Sequence, residues 1–300
     1  MIFRRDLCGI FCALLTYLAM IYADYVVIFW LITPIFMQSL WGVFHAVMFN
    51  TVLFFAFSSH FRAMVTDPGI VPISRKRFSR FNKNRFPKFP SDSESNSTDT
   101  DMELIGEENK FVGKDWTICT RCESYRPPRA HHCRICRRCI RKMDHHCPWV
   151  NNCVGEYNQK YFLQFLLYVG LSSGYALSLI VAAWVRSNEY GIAVVKGSYE
   201  ESMHHAKILH IVFLCIESVL FGLFVLAVSC DQVQAVLSDE TAVEAAQRKG
   251  FHNRVALSRS KITLIREVCG NGPMILWFLP CSTFPSESDV AQLSDQSLIV

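Results

Sequence analysis

The chain has 300 residues, 51% of them hydrophobic, with 23 phenylalanines, 13 cysteines and a formal net charge of +4. Length alone would suit one or two soluble domains. That apolar fraction, with a positive mean hydropathy, excludes an ordinary soluble chain and points to a membrane protein.

About 20 apolar residues cross a bilayer, and four stretches qualify. The first runs from about residue 7 to 32, interrupted only by Asp24. It is too long for a cleaved signal peptide and lacks a small-residue cleavage site. The second covers 40–57 and extends toward 65, with His45 and Asn50 inside it. The third and fourth cover 162–185 and 208–230, the latter carrying Glu217. Polar groups at these depths imply buried pairing or a lined pocket. Of 30 basic residues, 18 fall between 65 and 160 and six after 231, while Arg4 and Arg5 precede the first span. The short 33–39 loop has none, and 187–206 has only Lys196. This bias places both termini and the central loop in the cytosol. Thiols there stay reduced, so clustered cysteines serve metal binding or catalysis rather than disulfides.

The central loop opens with Asp67-Pro68-Gly69, a helix-stopping turn. Residues 75–90 are basic with interleaved Phe, suiting either anionic lipid or a solvated linker. The same composition fits nucleic acid, but attachment to a bilayer argues against that partner. Residues 91–101 are acidic and serine-rich and are expected to be disordered. Phosphorylation there would weaken the neighbouring basic stretch at a membrane. The Asn96-Ser97-Thr98 sequon lies on the cytosolic side, where it is not glycosylated.

Between Cys119 and Cys153 the chain packs seven cysteines and four histidines into 35 residues. Structural zinc takes four Cys/His ligands, commonly two residues apart, as in Cys119/Cys122, Cys133/Cys136 and Cys136/Cys139. Two sites need eight ligands. Six cysteines and one histidine from each His-His pair supply them, and Cys147 is left over. A spare thiol beside an Asp-His pair reads as a nucleophile. His145 and His146 must divide the roles of base, oriented by Asp144, and metal ligand, and the sequence alone does not say which takes which.

The segment resembles the cysteine-rich core of the DHHC protein S-acyltransferases, in its Asp144-His145-His146-Cys147 tetrapeptide, the following Pro148-Trp149-Val150-Asn151-Asn152-Cys153, and the upstream ligand spacing. The nearest branch by resemblance is the Golgi-type one. The resemblance implies that Cys119, Cys122, His132 and Cys139 hold one structural zinc, and Cys133, Cys136, His146 and Cys153 the other. It implies His145 as base, Asp144 as its orienter and Cys147 as the acylated nucleophile. It further implies acyl-CoA as co-substrate and cytosol-facing, membrane-associated proteins with free cysteines as acceptors. The competing reading of the residues is a non-enzymatic membrane adaptor with a zinc module.

Weaker features follow. Arg126, Arg129, Arg141 and Lys142 suit either CoA phosphates or a solvated surface. Gly170, Ser172, Ser173 and Gly174 make the third span slender, for close packing or an acyl groove. Thr241-Ala242-Val243-Glu244 resembles the family's TTxE with its second Thr replaced, which removes a side-chain contact and leaves Ala242 without an evident role. Glu267-Val268-Cys269-Gly270 resembles a C-terminal motif, but Leu264 and Cys269 depart from it and question that segment's packing. Cys8, Cys12, Cys215 and Cys230 read as small buried residues, and Cys281 as a residue open to acylation. The tail Leu298-Ile299-Val300 fits a PDZ-domain partner.

The expected architecture is an all-α polytopic membrane protein: four transmembrane helices with a cytosolic two-zinc cysteine-rich module of short β-hairpins between helices 2 and 3. The expected divisions are 1–66 (N-terminus and helices 1–2), 67–116 (linker), 117–160 (zinc module), 161–230 (helices 3–4) and 231–300 (cytosolic C-terminal segment).

Overall fold

A computed structural model describes residues 6–36, 39–72, 116–189, 198–248 and 259–281. The basic and acidic stretches at 75–101, the sequon, Lys196 and the 298–300 tail lie outside the described residues.

Among the described residues, four helices are long and apolar enough to cross a membrane. Helix α1 (Leu7–Val26) is capped by Asp6, whose side chain accepts from the Cys8 amide. It continues through a π-helical stretch, Val27–Ile32, into a short turn, Thr33–Phe36. Helix α2 spans Leu40–Val65, α3 Gln159–Glu189 and α4 Ser198–Leu237. Three of the four spans run further than hydropathy marks them, at Leu40–Val65, Gln159–Val185 and Met203–Leu237. The extra turns carry polar residues with protein partners: His60 and Arg62 on α2, Lys160 on α3, Gln232 on α4. A hydropathy window reads such groups as a span's end, whereas a paired group leaves the helical ladder intact.

The membrane core lies where α3 packs between α2 and α4. Small residues permit this approach, since a Cβ added at Gly222 would lie 3.4 Å from the Ser173 Cβ. Polar groups inside the spans are largely paired. His45 Nδ1 meets the Tyr175 hydroxyl at 2.7 Å, and the Tyr22 hydroxyl meets His210 Nδ1 at 3.0 Å. Asn50 donates to its own helix at Ala46 O.

Between α2 and α3 lie three two-stranded antiparallel hairpins: β1 (Thr117–Cys119) with β2 (Ser124–Arg126), β3 (His131–Cys133) with β4 (Arg138–Ile140), and β5 (His145–Cys147) with β6 (Asn152–Val154). Glu123 and Arg137, each following the second cysteine of a Cys-x-x-Cys turn, adopt φ of 52° and 53°. A non-glycine residue there costs about 1–2 kcal/mol, which metal binding can offset.

The Asp67-Pro68-Gly69 turn does more than stop α2. Asp67 Oδ1 accepts from the amides of Gly69 and Ile70, both at 2.8 Å. The segment then lies along β4: Arg141 N donates to Gly69 O at 2.8 Å, and Val71 N to Cys139 O at 2.9 Å. The Asp67-Pro68-Gly69 segment, at the head of the 67–116 division, therefore runs along the hairpin module through Val71.

Two buried asparagines weld that module to the end of α2. Asn152 Nδ2 lies within 3.2 Å of the carbonyls of Ala63, Met64 and Thr66. Asn158 Nδ2 donates to Ala63 O and Cys153 O, and its Oδ1 accepts from Gly155 N. A helix end leaves its last carbonyls without partners, and these amides supply them. Asn158→Ala takes the side-chain partner from the Cys153 carbonyl and the Gly155 amide and leaves Ala63 O to Asn152 alone, so we expect a loss of about 2 kcal/mol or more, read as a lower thermal unfolding temperature in detergent.

Candidate functional site

Successive side chains on a strand point to opposite faces, and this alternation sorts the adjacent Cys and His residues. On β3, His132 turns to one cluster and Cys133 to the other. On β5, His146 turns to a cluster, while His145 and Cys147, two residues apart, share the opposite face. The first cluster comprises Cys119, Cys122, His132 and Cys139, the second Cys133, Cys136, His146 and Cys153. Both agree with the division drawn from the resemblance.

The spacing of these atoms suits zinc. In each cluster the four ligand atoms lie within 4.8 Å of one another. A tetrahedral ion with Zn–S of about 2.3 Å and Zn–N of about 2.0 Å requires edges of about 3.8 Å between sulfurs and about 3.5 Å from sulfur to nitrogen. In the first cluster Cys139 Sγ lies 3.7 Å from Cys122 Sγ, and His132 Nδ1 lies 3.7 and 3.1 Å from Cys119 and Cys122. In the second, Cys153 Sγ lies 3.4 Å from Cys136 Sγ, and His146 Nδ1 lies 3.5 and 3.6 Å from the same two sulfurs. Hairpin β3–β4 contributes to both clusters, so the three hairpins form one unit.

On the other face of β5, Asp144 is 2% exposed. Its Oδ2 accepts from His145 Nδ1 and Gln232 Nε2, and its Oδ1 from the Ala242 amide, all at 2.7 Å. Burial pushes the Asp144 pKa up, but the His145, Ala242 and Gln232 hydrogen bonds outweigh it and hold the carboxyl below its usual range. With Nδ1 engaged, His145 keeps Nε2 for Cys147. Burial pulls the imidazole down, but Asp144 and then Cys147 outweigh it and lift His145 to about 9. His145 is therefore an imidazolium at neutral pH, its charge held by Asp144. The raised His145 pKa contributes stability in full below about 6.5, which is lost as pH rises through about 9. The depressed Asp144 pKa acts oppositely, its contribution being lost as pH falls through the carboxylate's own range.

Cys147 lines an apolar cavity of about 230 Å³. Its walls come from all four membrane helices, with Met20 on α1, Leu53 on α2, Phe165 and Val169 on α3, and Phe221 and Val225 on α4. Along α3 the lining runs from Phe162 to Ala176, about 21 Å at about 1.5 Å per residue. A single leaflet's hydrocarbon, half of about 30 Å, is shorter. Ser172 and Ser173 line the cavity while Ser173 also faces Gly222, so the small residues of the third span both pack and line. Glu217 is a further lining residue.

Other sequence-selected residues sit differently. Arg129 is not free for a phosphate: its guanidinium meets Glu244 at 2.9 and 3.0 Å and Asp239 at 2.7 Å. Lys142 pairs with Glu267 at 3.3 Å, and Arg126 Nε donates to Thr117 Oγ1. Ala242 has a role after all, because its backbone amide, which any residue but proline retains, donates to Asp144. Thr241 and Glu244 cap α5 (Ala242–Arg248) reciprocally: Glu244 N donates to Thr241 Oγ1 at 3.3 Å, and Thr241 N to Glu244 Oε2 at 2.9 Å. Leu264 is buried in α6 (Lys261–Cys269), so its apolar character suits the packing it was expected to disturb.

Three contributors escaped the sequence reading: Gln232, His60 and Lys160. Fully buried His60 donates from Nε2 to Trp149 O at 2.9 Å and accepts at Nδ1 from the Tyr17 hydroxyl at 3.1 Å. This pins the turn after Cys147. Lys160 Nζ donates to the carbonyls of Leu276 and Cys281. Each lies among other polar residues toward the end of a membrane helix, so nothing local in the sequence singles it out.

Residues 113–249 match the family model described as DHHC palmitoyltransferase. The chain is 36% identical over 284 residues to palmitoyltransferase ZDHHC7 of Mus musculus, covering 93% of this chain and 80% of that protein. It is 34% identical over 281 residues to palmitoyltransferase ZDHHC3 of Homo sapiens, covering 94% and 83%. A plant relative, "Probable protein S-acyltransferase 13" of Arabidopsis thaliana, is 33% identical over 251 residues, covering 82% and 74%.

Arg129 reaches Asp144 through Glu244 and the Ala242 amide, so Arg129→Ala is expected to slow labelling of Cys147 by a thioester about tenfold while both metals stay bound. Single-turnover labelling beside a zinc assay checks this.

Proposed function

This chain belongs to the DHHC palmitoyltransferase family, and we propose that it is a protein S-acyltransferase moving a long-chain acyl group, palmitoyl by analogy with its relatives, from acyl-CoA to protein cysteines. The observation that carries the reading is that Cys147 and His145, with Asp144 behind His145, line the apolar cavity together.

Cys147 is the nucleophile. Its sulfur attacks the acyl-CoA thioester carbonyl, the carbon–sulfur bond to CoA breaks, and an S-acyl-Cys147 enzyme remains. His145 holds the proton that the departing CoA thiolate takes up, and Asp144 fixes the ring and its charge. The thiol of an acceptor protein then gives a proton to His145 and attacks the Cys147 thioester, restoring the free enzyme. One thioester replaces another in each step, so the protein's contribution is proximity and charge. The acyl chain lies in the cavity, away from water. The two Cys/His clusters would each hold one structural zinc, which supplies rigidity to the hairpins. Closed four-ligand sites leave no position for a catalytic water.

The basic bias of 65–160 supports a cytosolic active site, facing membrane-associated acceptor proteins. A Golgi location is inferred from the resemblance to the Golgi-type branch.

The test is self-acylation of purified protein with labelled palmitoyl-CoA. Wild type is expected to carry hydroxylamine-labile label at Cys147, and Cys147→Ser none, with zinc retained in both. Zinc-replete wild type that never takes label would refute the reading and favour an adaptor. With His145 at about 9, the labelling rate should fall as pH rises through that value. In Asp144→Asn the fall should move toward the ordinary imidazole range near about 6.5, and initial rates at buffered pH decide it.

A further inference from the structure

The second Cys/His cluster does not end at its four ligands. His146 presents Nδ1 to the sulfurs of Cys136 and Cys153, which leaves Nε2 pointing away from the cluster. At 3.2 Å from Nε2 stands Asp6 Oδ2, from a residue 140 positions earlier in the chain. Both side chains are largely buried, at 8% and 16% exposure. The other oxygen, Asp6 Oδ1, accepts from the Cys8 amide at 3.2 Å and starts α1. One carboxylate thus begins a membrane helix and holds the outer nitrogen of a metal-ligating imidazole.

We infer that Asp6 is a positioning residue for the second metal site and that, through it, metal binding at that site anchors the cytosolic end of α1. The inference rests on the zinc reading of the clusters. A ligating histidine that gives its other N–H to a carboxylate is fixed in tautomer and ring orientation and becomes a stronger ligand. His146 Nε2–H donating to Asp6 meets that description.

A second observation shows how closely α1 sits on this part of the module. A Cβ built on Gly9 would fall 2.2 Å from Asn151 Oδ1, so any larger residue there would have to push the Asn151 side chain aside. One and two turns further along, Ala13 is buried and Thr16 lines the cavity that Cys147 opens into. The wall that α1 lends to the cavity is therefore registered against the metal module by Asp6 and Gly9. At the far end α1 meets α4 through Tyr22 and His210. Linkage is reciprocal: if zinc holds α1 in place, docked α1 slows the loss of zinc.

The experiment uses the full chain in lipid nanodiscs, loaded with zinc, and follows zinc release to excess EDTA with a chromogenic reporter. Asp6→Ser keeps a good N-cap but is too short to reach His146, whereas Asp6→Ala loses both contacts. Two zinc ions per wild-type chain establish the metal reading, and fewer would overturn it before Asp6 is tested. With two present, Asp6→Ser is expected to release one of them about tenfold faster and the other at the wild-type rate. Amide exchange over residues 7–16 should rise in the same variant and in wild type stripped of its more labile zinc. If Asp6→Ser releases both ions at wild-type rates and only Asp6→Ala differs, Asp6 is a helix cap alone and the inference fails.

Discussion

Opposed faces on a two-stranded ribbon are the constraint from which the rest of this protein follows. Adjacent residues on a strand cannot serve the same side, so each His-His or His-Cys step in the cysteine-rich segment is divided between two tasks. On β3 the division feeds two metal clusters from one strand. On β5 it separates a ligand, His146, from the pair His145 and Cys147. The strands are only three residues long and would not persist alone in water. Metal closure at the two Cys/His clusters would make the alternation hold, and Cys147 is oriented by a scaffold with little apolar core of its own.

Asp144 is the second point of convergence. A buried carboxylate is costly unless several donors reach it, and the three that do come from β5, α4 and the start of α5. The α5 donor is in turn set by a reciprocal cap and by Arg129, which lies between β2 and β3. The charge beside Cys147 thus depends on the membrane helices and the C-terminal segment packing correctly. The module and the bundle are energetically one body, although the sequence separates them into distinct compositions. Asn152, Asn158 and the Asp67-Pro68-Gly69 turn reinforce the same junction from α2.

Much of the architecture was legible beforehand, for physical reasons that differ by region. Spans are legible because lipid offers no partner to a polar backbone or side chain, and apolar length records this directly. Their ends were read short wherever a polar residue found a protein partner, as with His60, Lys160 and Gln232. Metal ligands are legible because coordination demands specific atoms at specific spacings. Contacts made by backbone amides are not legible, since every residue has one. Ala242 looked like a lost contact for that reason, and Arg129 like a free cation until its two acidic partners came into view.

The sequence by itself determined the membrane character, six cysteines and one histidine from each His-His pair as a candidate ligand set, and the odd cysteine beside an Asp-His pair. Those are matters of composition and local spacing, which the chain carries in one dimension. Tertiary structure decided which histidine faces a cluster and which faces Cys147, which donors hold Asp144, where Arg129 spends its charge, and that Asp6 reaches His146 across 140 residues. Each of these joins groups remote in the chain, and their proximity exists only once strand alternation and helix packing have set distances that no local pattern encodes.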